Sequence, residues 1–352
     1  MTLNPPSLLL ARNEAQFTGN VLFANPEDTY PQTLMSQANV YTWCQSKAVD
    51  EQLARVGLAD EQRHFGAEWD AGRIEAFDHV IIYQPKAKEL LDYLLAATLP
   101  HLKQGGQLWL VGDNKSGVKS SVKRLTAPLE EVGKVDSAKH CLLFNGYLRG
   151  EAKPFALNDW ITRWQEDAAG QSFTLCSIPG VFGHGKLDKG TALLLEQLEQ
   201  HRFMSDVANA RLLDFGCGDG VISMWLHKRT GANISALDDS ALALKATELT
   251  FAANDASEAL TLVPSNGLSE VKGRFNYVIT NPPFHTGIST DYSIAERFFI
   301  DVKKHLTLNG ELFVVANDFL RYPPLIDAAL GKHQTLNKGR GFAVYHARQQ
   351  KP

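Results

Sequence analysis

A chain of 352 residues, 44% hydrophobic and 21% charged, is long enough for two globular domains and ordinary in its balance. A net charge of -4 argues against a uniformly basic surface for naked nucleic acid, and no apolar run approaches the ~20 residues of a membrane span. The four cysteines (Cys44, Cys141, Cys176, Cys217) lie far apart with no Cys-x-x-Cys pair, so no disulfide scaffold or zinc site is expected, and a reducing cytoplasm fits best.

In chain order, the first apolar patch is Leu8-Leu9-Leu10, too short for a signal-peptide core. Residues 78–83 read as a buried strand running into Gln84-Pro85-Lys86, and residues 106–111 as another. From Lys103 to Lys153 there are 9 Lys/Arg against 5 Asp/Glu, which leaves the rest of the chain near -8. Within this stretch Lys115-Ser116-Gly117-Val118-Lys119, with Lys123 and Arg124, forms a basic loop entering a helix. Lys115 and Lys119 are its candidate phosphate contacts; the plain alternative is a solvated helix entry. Arg149-Gly150-Glu151-Ala152-Lys153-Pro154 reads as a linker, with Trp160 and Trp164 in a short packed helix beyond it. The expected domains are residues 1–155 and 156–352.

In the second half, apolar strands at 211–215, 234–237, 260–263, 277–280 and 311–316 alternate with helical segments at 220–229, 241–254 and 293–305. Asn309-Gly310 supplies the turn before the last strand. The alternation predicts an α/β fold with a parallel sheet. The first half repeats it more weakly. Asp78-His79-Val80-Ile81-Ile82-Tyr83-Gln84-Pro85-Lys86 matches Asn276-Tyr277-Val278-Ile279-Thr280-Asn281-Pro282-Pro283-Phe284 position by position, and Gly106–Val111 matches Gly310–Val315. Two copies of one fold are expected.

The strongest chemical signal is Asp214-Phe215-Gly216-Cys217-Gly218-Asp219-Gly220, between a strand and a helix. Such a turn lets backbone amides approach a ligand closely. Asp214 ends the strand, where it can hold a cationic or hydroxylated ligand. Asp238 ends the next strand, where an acid can accept both ribose hydroxyls; Asp239 beside it leaves open which of the two does so. The spacing lacks the longer G-x-G-x-x-G phosphate pattern, which favours a nucleoside without phosphates, such as S-adenosylmethionine. Ser265 and Asn266 follow the 260–263 strand, within reach of an adenine, though Ser-Asn-Gly is also ordinary turn chemistry. Cys217 sits in the turn as packing rather than as a nucleophile.

Asn281-Pro282-Pro283-Phe284 follows the 277–280 strand, at the edge where open α/β sheets place ligands. An exocyclic base amine is a poor nucleophile because its lone pair is delocalised into the ring. If the Asn281 side-chain oxygen and the Pro282 carbonyl each accept one N–H, the nitrogen becomes tetrahedral and its lone pair is freed. The prolines hold that carbonyl rigidly. Phe284 offers a stacking ring worth ~1–3 kcal/mol for a base drawn out of its stem.

Together these motifs resemble the class I S-adenosylmethionine-dependent methyltransferases of amino nitrogens. The longer segments Pro179-Gly180-Val181-Phe182, Leu187-Asp188-Lys189-Gly190 and 269–275 resemble ribosomal RNA guanine-N2 methyltransferases, and 112–120 and 134–138 are similar to the ribosomal RNA small subunit methyltransferase C family. The resemblance implies methylation of guanine N2 in 16S ribosomal RNA, with the small subunit as substrate. It also implies two tandem Rossmann-like methyltransferase domains, the N-terminal copy degenerate and free to position RNA. A large-subunit guanine-N2 enzyme, or an adenine-N6 or glutamine methyltransferase, would carry a similar target motif. A dinucleotide oxidoreductase would need the longer glycine pattern, which is absent.

Overall fold

The computed structural model describes residues 3–70, 72, 76–201, 207, 210–282 and 292–350. The chain forms two compact units, Met1–Ile161 and Thr162–Pro352. Phe155 and Trp160 both pack edge-on against Tyr93, at 5.2 and 5.5 Å, which ties the chain up to Ile161 to the first unit.

The first unit holds a seven-stranded sheet: β1 Gly19–Ala24, β2 Ala38–Cys44, β3 Arg63–Phe65, β4 Phe77–Tyr83, β5 Leu102–Asp113, β6 Leu129–Ala138 and β7 Cys141–Leu148. Its helices are α1 Pro5–Ala11, α2 Tyr30–Thr33, α3 Lys47–Arg55, α4 Lys88–Thr98 and the one-turn α5 Val118–Ser121. The Leu8–Leu10 patch is part of α1, whose Leu9 and Leu10 are fully buried.

The second unit opens with the hairpin β8 Thr162–Ala168 and β9 Gln171–Ser177. Trp164 therefore lies in a strand and not in the expected short helix, and only Trp160 closes a helical turn, Leu157–Trp160. Helix α6 Lys189–Gln200 precedes the second sheet: β10 Leu212–Phe215, β11 Ile234–Asp238, β12 Leu260–Pro264, β13 Phe275–Thr280, β14 Leu306–Asn317, β15 Gln334–Gly339 and β16 Phe342–Arg348. Helices α7 Val221–Thr230, α8 Ala241–Ala252, α9 Tyr292–His305 and α10 Tyr322–Leu330 connect its strands.

The two sheets share one topology. Their orders are β3-β2-β1-β4-β5-β7-β6 and β12-β11-β10-β13-β14-β16-β15. Each has five parallel strands and an antiparallel pair at one edge, so the sheets are mixed rather than wholly parallel as expected. The duplication extends to an irregularity. Phe77 pairs with Leu102 and His79 with Gln107 across a register shift, as Phe275 pairs with Leu306 and Tyr277 with Glu311. Gly106 and Gly310 sit in these shifts. A Cβ on Gly106 would lie 2.8 Å from the Lys103 carbonyl oxygen, and on Gly310 2.9 Å from that of Thr307, so both copies need glycine there. Asn309-Gly310 is accordingly a bulge inside β14, not a turn before it.

Period-two alternation buries both faces of the second sheet. Leu213, Phe215, Val278, Leu312 and Val314 join Phe298, Phe299 and Ile326 of α9 and α10 on one side. Leu212, Ile279, Phe313 and Val315 join Leu194, Leu198 and Trp225 of α6 and α7 on the other. At about 1.5–3 kcal/mol for each large side chain removed from water, this double layer fixes the strand register. Register in turn sets the strand ends that build the site. The chain leaves β10 for β11 and later returns to β13 on its other side, so the β10/β13 gap is the switch point where open sheets bind ligands.

Candidate active site

Glycine at three alternate positions shapes the turn after β10. Gly216, Gly218 and Gly220 have φ of +76°, +58° and +81°, a region other residues enter at a cost. Gly216 and Cys217 donate their N–H groups to the Leu237 carbonyl at 2.8 and 2.9 Å, tethering the turn to β11. No atom stands within 4 Å of a Cβ built on Gly218, whereas one on Gly220 would meet Thr247 at 3.0 Å. The turn is thus open at its middle and packed at its end. Thr247 Oγ1 donates to the Gly218 carbonyl (3.1 Å) and Thr250 Oγ1 to that of Asp219 (2.8 Å). These two α8 threonines brace the turn. Nothing in the sequence marks them, since threonine inside a helix carries no distinctive pattern.

Three carboxylates surround this turn. Asp214 is fully buried; its Oδ2 accepts Ser223 N–H at 3.0 Å and Ser223 O–H at 2.6 Å. Its Oδ1 is buried with no partner among the described residues. Burial pushes its pKa up to about 7 against the pull of the Ser223 bonds, with Asp238 adding to the rise. Burial likewise raises Asp219 to about 7 and Asp238 to about 6. Asp238 Oδ2 accepts Gly218 N–H at 3.1 Å and its Oδ1 accepts Ser240 N–H at 2.9 Å, which sets Asp238 directly against the glycine turn. The Cys217 thiol is buried, and burial drives its pKa well above the ordinary thiol value. Its sulfur lies 3.2 Å from Thr247 Oγ1. Burial thus disfavours the thiolate that a nucleophile needs.

Ser265 is buried beside this group, its N–H donating to the Asp238 carbonyl at 3.1 Å and its hydroxyl accepting Glu270 N–H at 3.1 Å. That hydroxyl therefore folds the loop after β12, while Asn266 next to it is exposed.

On the other side of β10, Thr280 of β13 donates to the Phe215 carbonyl at 2.7 Å, so Asn281 follows a strand end stapled to the turn. Asn281 is half-buried and Pro282 buried. Asn281 Nδ2 donates to Asp188 Oδ2 at 3.1 Å and to Thr191 Oγ1 at 2.9 Å. Asp188 is the N-cap of α6 and accepts Gly190 and Thr191 N–H at 2.9 and 3.0 Å. Neither residue was singled out as functional from sequence, although Asp188-Lys189-Gly190-Thr191 carries a legible N-cap signal. Pro283 and Phe284 lie outside the described residues.

The first unit shows what a filled site looks like. By strand register Tyr83 stands where the second unit has Asn281, Cys44 where it has Asp238, and Asn25-Pro26 where it has Gly216-Cys217. Tyr83 is buried, its hydroxyl 2.8 Å from Ser7 Oγ, and Ser7 donates to Asp28 at 2.8 Å. Side chains of α1 and the β1 loop occupy this region. Lys115 is exposed on the turn after β5, which Asp113 caps by accepting Ser116 N–H at 2.6 Å, and Lys119 is exposed on α5. Arg124, expected to join them, is instead ion-paired with Asp92.

Among the described residues one group has metal-binding composition: His201, Glu311 and His346, with ligand atoms within 4.8 Å of one another. It lies away from Asn281. Glu311 pairs with Tyr277, four residues earlier, about 13 Å away at ~3.3 Å per residue.

Family models for the methyltransferase small domain and for the methyltransferase small domain N-terminal region match residues 172–346 and 7–164. The chain is 69% identical over 351 residues to "Ribosomal RNA small subunit methyltransferase C" of Marinomonas sp. (strain MWYL1), covering 100% of this chain and 99% of the relative. The protein of that name from Pseudoalteromonas atlantica (strain T6c / ATCC BAA-1087) is 40% identical, with 97% and 98% covered. Among solved structures, the T. thermophilus 16S rRNA N2 G1207 methyltransferase (RsmC) in complex with AdoMet and guanosine superposes with a TM-score of 0.87. It is 26% identical, and the match covers 99% of this chain and 92% of that one.

Proposed function

Because this chain belongs to the ribosomal RNA small subunit methyltransferase C family, we propose that it transfers a methyl group from S-adenosylmethionine to N2 of a guanine in 16S ribosomal RNA. The supporting observation is the pairing of the open glycine turn after β10 with Asn281-Pro282 after β13, stapled together by the Thr280–Phe215 bond.

The cofactor fits the residues present. An unpartnered buried oxygen on Asp214 suits a cation. A turn open at Gly218 and flanked by carboxylates suits a nucleoside and disfavours phosphates. When bound, S-adenosylmethionine supplies a methyl group on a cationic sulfur that departs as a neutral thioether. Asp214 with Gly216, Cys217, Gly218 and Gly220 would line its bed, Asp238 would accept the ribose hydroxyls, and Ser265 would hold the loop from which Asn266 reaches the adenine.

Asn281 Oδ1 and the Pro282 carbonyl would each accept one N–H of the guanine amine, turning its lone pair out of conjugation. As the nitrogen takes up the methyl group it becomes acidic, and the proton held at one of these oxygens passes to water. No strong base is required. Pro283 fixes the loop and Phe284 stacks the base. The catalytic role belongs to the C-terminal unit, while Lys115 and Lys119 of the N-terminal unit meet ribosomal phosphates. The substrate is the small subunit, in the cytoplasm; among the described residues no helix is long and apolar enough to cross a membrane.

Labelled S-adenosylmethionine incubated with the enzyme and small subunits from cells lacking it tests this reading. Nuclease digestion should return the label as N2-methylguanosine at one position of 16S RNA. Label in adenine, in 23S RNA or in protein would overturn it.

A further inference from the structure

We propose that Asp188 and Thr191 are positioning residues for methyl transfer: they lock the Asn281 amide so that its carbonyl oxygen alone faces the target amine. The proposal rests on the reading of Asn281 as an acceptor for that amine.

The lock follows from donor and acceptor chemistry. Asp188 Oδ2 already receives two backbone N–H groups, from Gly190 and Thr191, so it acts here as an acceptor. The Asn281 atom 3.1 Å from it must then be the NH₂ group. Thr191 Oγ1 receives the same nitrogen at 2.9 Å. An amide torsion is otherwise broad and nearly two-fold, and a free Asn281 could present its N–H groups to the substrate as easily as its oxygen. A flipped amide would here set Oδ1 against a carboxylate oxygen at hydrogen-bond distance with no proton between them, a repulsive and costly arrangement. Oxygen and nitrogen lie on opposite sides of Cγ, so committing Nδ2 to α6 leaves Oδ1 for the amine. A negative acceptor behind the NH₂ group also polarises the amide and strengthens its oxygen as an acceptor.

The surroundings hold the two partners in place. Asp188 caps the first turn of α6, and Thr191 is buried. A Cβ on Gly190 would stand 2.8 Å from the Phe342 ring and 3.0 Å from Asp188 Oδ2, so glycine lets the cap close. The helix start thus serves a second purpose beyond its own stability, which is to aim the side chain that follows β13.

The test separates aiming from folding. Asp188→Ser keeps a good N-cap but is too short to reach Asn281, and Thr191→Val keeps the shape without the acceptor. Steady-state kinetics on small subunits should show kcat lowered about ten- to hundredfold in Asp188→Ser and about tenfold in Thr191→Val. KM for the subunit, the S-adenosylmethionine Kd and Tm should stay near wild type. Thr191→Ser, which restores the hydroxyl, should recover most of the loss. A kcat within twofold of wild type in both variants, alongside an inactive Asn281→Ala, would overturn the positioning role. A loss carried by KM or Kd alone would also overturn it. Full kcat in Asn281→Ala would instead overturn the reading of Asn281 beneath it.

Discussion

Burial holds Asp214 and Asp219 near pKa 7 and Asp238 near 6, each above its unfolded value of 3.8. These three groups therefore bind more protons in the native chain without cofactor than in the unfolded chain between about pH 4 and 7. Their contribution to stability without cofactor falls as pH rises through that window. A cationic ligand favours the ionised forms, so its binding should release protons at pH 6–7 and tighten as pH rises. Calorimetry in buffers of different ionisation enthalpy measures the release directly; proton uptake, or none, would contradict this electrostatic picture. Asn281→Ala removes an acceptor that acts mainly in the transition state. It should lower kcat by on the order of 10²-fold or more while leaving cofactor affinity nearly unchanged, as titration of the variant would show. A large loss of affinity would move Asn281 into the cofactor bed. At this scale the sequence displays the residues that touch ligands, because glycines, acids and Asn-Pro-Pro-Phe have distinctive spacing. It conceals Asp188 and Thr191, whose contact with Asn281 spans 90 residues or more and exists only once α6 docks on the sheet.

The turn after β10 and helix α8 form one mechanical element, joined where Gly220 meets Thr247. Gly220→Ala forces a side chain into φ +81° and against that helix. It should cost about 2 kcal/mol, or about 4–8 °C in Tm for a unit of this size, and weaken cofactor binding as well. Thermal unfolding with and without S-adenosylmethionine measures both, and an unchanged Tm would show the turn to be slack. Most strands of the second unit were legible because both of their faces are buried and the apolar runs are continuous. The last strand pair was less so. Asn309-Gly310 has turn chemistry, yet β14 passes through it as a bulge. The antiparallel strands β15 and β16 lie where periodicity says nothing about direction. Trp164 reads as helix from local sequence but pairs with Leu175 across the β8–β9 hairpin.

Duplication gave two sheets with the same strand order, the same bulge and a glycine at the same place in it, but different chemistry at their carboxyl ends. Sequence comparison of the halves reveals the repeat; only the structure shows that Tyr83, Ser7 and Asp28 fill the first unit's site. The basic stretch was legible as charge, whereas the pairing of Lys103 with Asp78, Arg124 with Asp92 and Arg149 with Glu131 was not. Reversing charge at Lys115 and Lys119 together should weaken subunit binding and lower its salt dependence by about two counterions, with cofactor affinity unchanged; filter binding across a salt series would reveal it. The division into one working copy and one filled copy is tested most directly by titrating the full chain with S-adenosylmethionine. One site per chain is predicted, with its affinity lowered about ten- to hundredfold by Asp238→Ala. Two saturable sites per chain, or one site indifferent to Asp238→Ala, would contradict it.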